Sequence, residues 1–172
     1  YNYLVTSDTF GWVDTSALTA LALTDDSVSP SQLLPFTFSF YGQQYTNVFV
    51  GSNGFLLLGS SAGGTAYINT DLPNAAPPNN LIAPFWTDLN PNFGGQIRFG
   101  IIGTAPNRVA VASWEGVPHY ADHSVVLTFQ VLLFEGSNEI KLQYLEVQPA
   151  NLSYGAGRSA TVGVEDLSAT IA

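Results

Sequence analysis

The chain contains no cysteine and no methionine. It therefore has no disulfide to staple it, no thiolate to act as nucleophile or metal ligand, and no thioether to oxidise, a set of absences that suits long exposure outside a cell. Charge is also scarce. Only 10% of the residues are charged, against about 25% in an ordinary soluble domain. Four Lys and Arg stand against thirteen Asp and Glu, for a net charge of -9, so the basic footprint that binds a phosphate backbone is missing and nucleic acid is not an expected partner. No apolar run reaches the roughly 18 residues that span a bilayer. The chain begins at Tyr1 rather than Met, with no charged segment and apolar stretch ahead of the fold. We read it as a mature, secreted product whose targeting signal has been removed, and expect an extracellular or cell-surface location.

What is present is apolar and aromatic. Hydrophobic residues make up 46% of the 172 and aromatic residues 13%, enough for one core of ordinary size. No repeat or linker divides the chain, so a single domain over residues 1–172 is expected. Alternation at period two dominates: Phe36, Phe38 and Phe40 face one way, as do Val125, Leu127, Phe129, Val131 and Leu133. Ile140, Leu142 and Tyr144 repeat the pattern after Glu135-Gly136-Ser137-Asn138, so residues 124–134 and 139–147 are predicted to form a hairpin. Further strands are predicted at 45–50 and 54–58, around the Ser52-Asn53-Gly54 turn signal, and at 96–102, 107–114 and 160–165. Ten prolines and sixteen glycines interrupt the chain too often for long helices; residues 17–23 fit either a helix or a strand, and 73–80 read as a loop. The expected fold is all-β, an antiparallel, jelly-roll-like sandwich of roughly ten strands without substantial helix.

Four phrases carry a family resemblance: Leu34-Pro35-Phe36-Thr37-Phe38-Ser39-Phe40-Tyr41-Gly42, Gly51-Ser52-Asn53-Gly54-Phe55-Leu56, Ile82-Ala83-Pro84-Phe85-Trp86-Thr87-Asp88-Leu89, and Leu127-Thr128-Phe129-Gln130-Val131. In this order, over residues 33 to 166, they resemble the NIDO-type extracellular module and its prokaryotic secreted relatives. The resemblance implies a β-sandwich with an extracellular binding or structural role and brings no catalytic residues with it. Such relatives continue past a stretch like Ala160 to Asp166 into one more aromatic strand, whereas this chain reaches Ala172 after a short tail. An open groove and an unpaired sheet edge are the expectation.

Candidate sites are few. Asp88-Leu89-Asn90-Pro91-Asn92-Phe93-Gly94 sets oxygen ligands at Asp88, Asn90 and Asn92 before a glycine, the arrangement that a hard cation such as Ca²⁺ takes from a compact loop, although Pro91 and the missing bidentate Glu depart from an EF-hand. The alternative is an Asx turn between strands. Asp25-Asp26, before Ser27, is a second candidate contributor, with a solvated loop the plainer reading. His119 and His123 are the only histidines, and any metal or general-base chemistry by imidazole must use them; loop histidines without such a role are the plainer reading. Asn151-Leu152-Ser153 is a glycosylation sequon. Trp12, Trp86, Trp114, Tyr41, Tyr45 and Tyr120 offer a sugar-stacking platform unless they are core. Lys141 is the single lysine, a candidate for an isopeptide crosslink.

No nucleophile elbow, phosphate-binding glycine loop or Ser/His/Asp pattern is present, so an enzyme is not expected. The reading is an extracellular structural or adhesive protein that associates with copies of itself into a filament or layer. Tyr1 to Thr6 would act as a donated strand, with Tyr1, Tyr3 and Val5 setting register. The alternative is a carbohydrate- or matrix-binding module of a larger secreted protein.

Overall fold

The computed structural model describes residues 3–172; Tyr1, named above for strand donation, lies outside them. Among the described residues ten strands form two five-stranded antiparallel sheets, the sandwich that the alternation predicts. One sheet is a meander of β2 (Gln32–Phe40), β3 (Gln43–Gly51), β4 (Phe55–Leu58) and β5 (Leu81–Trp86), with β10 (Thr161–Glu165) added beside β5. The other is a meander of β6 (Gln96–Ile102), β7 (Val109–His119), β8 (Asp122–Phe134) and β9 (Ile140–Glu146), with β1 (Thr19–Leu21) added beside β6. This order departs from a jelly roll. Successive strands within each meander are adjacent, β4 and β5 across a long loop, and only β1 and β10 reach across to the sheet built by the other half of the chain.

The predicted hairpin is β8 and β9, in register from Leu133↔Ile140 to Phe129↔Tyr144. Residues 17–23 contribute a three-residue strand, not a helix. The strand expected at 107–114 runs on to His119, because a break in register after Trp114 and a left-handed Gly116 (φ 62°) let Pro118 stay on the ladder.

Period two decides what is inside. Phe36, Phe38 and Phe40 of β2 and the alternate residues Val125 to Leu133 of β8 meet in one core with Trp114 and Phe85. Trp114 stacks on Phe129 at 5.1 Å between centroids and donates its indole N–H to the Gly51 carbonyl of the opposite sheet at 3.0 Å. That bond gives a fully buried polar atom its partner and ties the sheets together.

Each sheet also has a covered outer face. On the β2–β5 side, Phe55, Leu57, Leu81, Ala83 and Trp86 lie under Ala66 and Leu72 of the long loop after β4. On the other side the N-terminal segment crosses the sheet as a strap. Lys141 Nζ holds the Asp8 carboxylate at 2.5 Å and the Thr9 carbonyl at 2.7 Å, the Gly11 N–H donates to Gln143 Oε1 at 2.8 Å, and Thr15 bonds Glu115. Leu18 then packs on Gly100, where a Cβ would meet its side chain at 2.7 Å, and its carbonyl accepts from Arg98 at 3.0 Å. Ahead of Asp8 the contacts thin out. Tyr3 packs on Phe40 and Tyr41, but Leu4 and Val5 are 87% and 92% exposed.

Candidate functional site

Three carboxylates meet at one corner of the sandwich. Asp25 and Asp26 come from the loop after β1 and Asp88 from the segment after β5, and an oxygen of each lies within 4.8 Å of the others. The residue that assembles them is Asn53, in the tight turn between β3 and β4. Its side-chain amide donates to Asp26 Oδ1 at 2.9 Å and to the Ala66 carbonyl at 3.3 Å, while its Oδ1 accepts from the Leu89 N–H at 2.8 Å. Asn53 is fully buried, and one amide thus fixes three separate loops.

Each loop has its own support. Ser27 and Ser52 exchange backbone and hydroxyl bonds at 2.8 and 2.9 Å, which lays the Asp25-Asp26 turn against β3. The Asp88 carbonyl accepts from Tyr120 N–H at 2.9 Å and the Asn90 N–H donates to the Pro118 carbonyl at 2.9 Å, so the end of β7 holds the other side.

The electrostatics follow from this crowding. Burial, reinforced by the charges of Asp26 and Asp25, pushes the Asp88 carboxyl up from 3.8 to about 6. Burial and the neighbouring Asp26 raise Asp25 as well, and its Oδ1 is buried with no hydrogen-bond partner among the described residues. Three clustered carboxylates form a donor set of hard oxygens, chemistry that suits Ca²⁺ more than a soft or imidazole-preferring metal.

Asp88 is therefore the member of the predicted Asp88, Asn90, Asn92 set that joins the cluster. Asn90 turns away: its Oδ1 accepts from Asn92 N–H at 2.9 Å and caps the single 3₁₀ turn Pro91–Phe93. The stiffness that Pro91 brings favours this turn over a ligating loop. The sequence signalled Asp25-Asp26 and Asp88 separately, about sixty positions apart; Asn53 read only as a turn residue, and no spacing rule connects it to either.

The histidines do not share a site. His119 is buried, accepts from Ala121 N–H at Nδ1 at 3.1 Å, lies 3.2 Å from Thr87 Oγ1 at Nε2, and stacks on Tyr154 at 4.3 Å. Both ring nitrogens are engaged, and burial lowers its pKa. His123 stacks on Phe93 with centroids 3.5 Å apart. The Asn151 amide nitrogen, the atom a glycan would occupy, donates to Asp122 at 2.6 Å. Trp86 and Trp114 are core residues and leave the proposed sugar platform; Tyr120 stays exposed. Lys141 is taken up by its ion pair with Asp8.

A two-sheet β-sandwich is an architecture shared by many unrelated functions, so the fold alone assigns none. The chain matches the NIDO-related family over residues 1–172 and belongs to it. That membership supports an extracellular-type domain, and no helix among the described residues is long and apolar enough to cross a membrane. No curated protein and no solved structure matches the chain.

Proposed function

We propose that the chain is a non-enzymatic extracellular structural subunit that assembles with copies of itself by strand addition, the residues ahead of Asp8 being the donor. One observation carries the reading. Leu4 and Val5 stand almost fully in solvent at the end of a strap that is otherwise anchored from Asp8 onward. Two adjacent apolar side chains so exposed are costly in water, and burying both in a neighbour recovers roughly 3 to 6 kcal/mol per contact. Tyr3, Leu4, Val5, Thr6 and Ser7 carry no charge, so the donor adds nothing to the repulsion between subunits of charge -9. A contact of one segment with a different surface does not close on itself, so it propagates into a filament or layer. Deleting residues 1–7 and imaging by electron microscopy tests this: assemblies should vanish, and filaments of unchanged abundance would refute it.

A second reading is a glycan- or matrix-binding module. Exposed Tyr120, at the β7–β8 turn, and Phe93, in the 3₁₀ turn held against β7, favour it. Binding to a glycan array that is lost in Tyr120→Ala, from a protein that stays monomeric, would support this reading over the first. In either case Asp25, Asp26 and Asp88 are where Ca²⁺ would be held, as a cross-tie between loops.

A further inference from the structure

The sheet face under the N-terminal strap is polar, where a buried face is ordinarily apolar. Arg98, Ser113, Gln130 and Gln143 stand opposite one another on β6, β7, β8 and β9, and directly opposed residues share a face. Ser113, Gln130 and Gln143 are all but fully buried, because the strap from Asp8 to Leu18 crosses above them. Among the described residues five buried side-chain polar atoms lack a hydrogen-bond partner, and four of them belong to this row: Arg98 Nε, both amide atoms of Gln130, and Gln143 Nε2. Arg98 Nε has only a 3.5 Å approach to Glu115 Oε2. Closing the strap takes these atoms out of bulk water without giving them a partner in the chain. Each such atom opposes burial by roughly five- to a hundredfold.

The ties that hold the strap are of a kind that yields. No backbone–backbone hydrogen bond joins residues 3–17 to either sheet among the described residues. The Lys141–Asp8 pair leaves 55% of the Asp8 side chain in solvent, and a pair so exposed is weak and screened by salt. Phe10 is half exposed. What keeps the strap down is apolar cover one row further on, where Leu18 packs on Gly100. Val111 and Leu132 continue that row across β7 and β8 and are buried on the same outer face.

We propose that the strap is a latch: residues 8–18 lift from the sheet as a unit while both sheets stay folded, baring the polar row. One apolar patch favours the closed form and four unpaired polar atoms oppose it, so opening costs far less than unfolding the core. Opening also adds residues 8–18 to the arm ahead of Asp8, eleven residues or about 36 Å of extended chain. The latch thereby regulates the reach of that arm where strand addition operates, but its opening does not depend on that reading.

A chain without cysteine lets one introduced thiol report the opening. Ser113→Cys lies under the strap and Val131→Cys in the core between the sheets, both at fully buried positions. With iodoacetamide under native conditions, Ser113→Cys should be labelled at least roughly a hundredfold faster than Val131→Cys, which reacts only through unfolding. Adding Gln130→Met, which keeps the length of the side chain and removes both orphaned amide atoms, should slow labelling of Ser113→Cys by roughly tenfold. Adding Lys141→Gln should speed it by roughly two- to fivefold, a difference that shrinks in high salt. Equal labelling of the Ser113 and Val131 variants, or faster labelling with Gln130→Met, overturns the latch. Should Gln130→Met fail to fold, amide hydrogen exchange on the unaltered chain decides. The Gly11 and Leu18 amides should exchange at least roughly a hundredfold faster than those of Phe129 to Val131 in β8, and equal protection overturns the proposal. Deleting residues 1–7 leaves every tie from Asp8 onward in place, so its effect on assembly tests strand addition while thiol labelling tests the latch.

Discussion

Replacing Asp88 with Asn removes the most perturbed member of the acidic corner while keeping its shape. In the folded chain the Asp88 carboxyl titrates at about 6 instead of 3.8, chiefly because it is buried and then because Asp26 and Asp25 lie beside it. A folded pKa above the unfolded one contributes stability that is complete below about pH 4 and is lost as pH rises through about 6, because the unfolded chain releases its proton first. At about 1.4 kcal/mol per pH unit the displacement amounts to roughly 3 kcal/mol. Asp88 is partly open to solvent, and screening cuts this to about 1 to 2 kcal/mol. The Asn variant should therefore be slightly less stable than or equal to the wild type at pH 4 and more stable by about 1 to 2 kcal/mol at pH 7. The assay is urea unfolding followed by tryptophan fluorescence, in chelator, from pH 4 to 7. The difference between the two proteins is the quantity of interest, since it cancels Glu135 and Asp166, which titrate near 2 and act in the opposite direction. A difference that stays flat across this range would refute the reasoning. Ca²⁺ should stabilise the wild type at pH 7 and leave Asp88→Asn unmoved, because a bound cation offsets the cost of ionising Asp25 and Asp88.

Other outcomes follow from the same geometry. Asn53→Ala leaves the Leu89 N–H without its side-chain acceptor and Asp26 Oδ1 without the amide that donates to it, while the Ala66 carbonyl keeps the Trp86 indole; it should cost about 3 kcal/mol, read as a lower urea midpoint. Trp114→Ala opens a cavity between the sheets and orphans the Gly51 carbonyl; a loss of about 4 kcal/mol is expected in the same assay. His119 has its pKa lowered by burial, partly offset by Asp122, so it contributes stability that is present above about pH 6.5 and lost as pH falls. His119→Gln should flatten that acid limb, measured as the thermal midpoint from pH 7 to 5.

The two kinds of information divide along lines of distance. Sandwich class, strand positions and the β8–β9 hairpin were legible because side-chain alternation and turn residues are local, with a period set by the strand itself. Phe36, Phe38 and Phe40 declare an inner face whatever lies opposite. The same holds for scarce charge and absent cysteine, which follow from composition alone. Sheet order was not legible, since β1 and β10 join strands built by distant parts of the chain. Nor was the acidic corner. Asp25, Asp26 and Asp88 are brought together by Asn53, whose three hydrogen bonds exist only after β3 and β4 have turned and the loops have closed on them. The sequence marked Asp88, Asn90 and Asn92 as one ligand set by spacing; in the fold Asp88 meets Asp25 and Asp26, and the Asn90 Oδ1 caps the 3₁₀ turn by accepting from the Asn92 N–H.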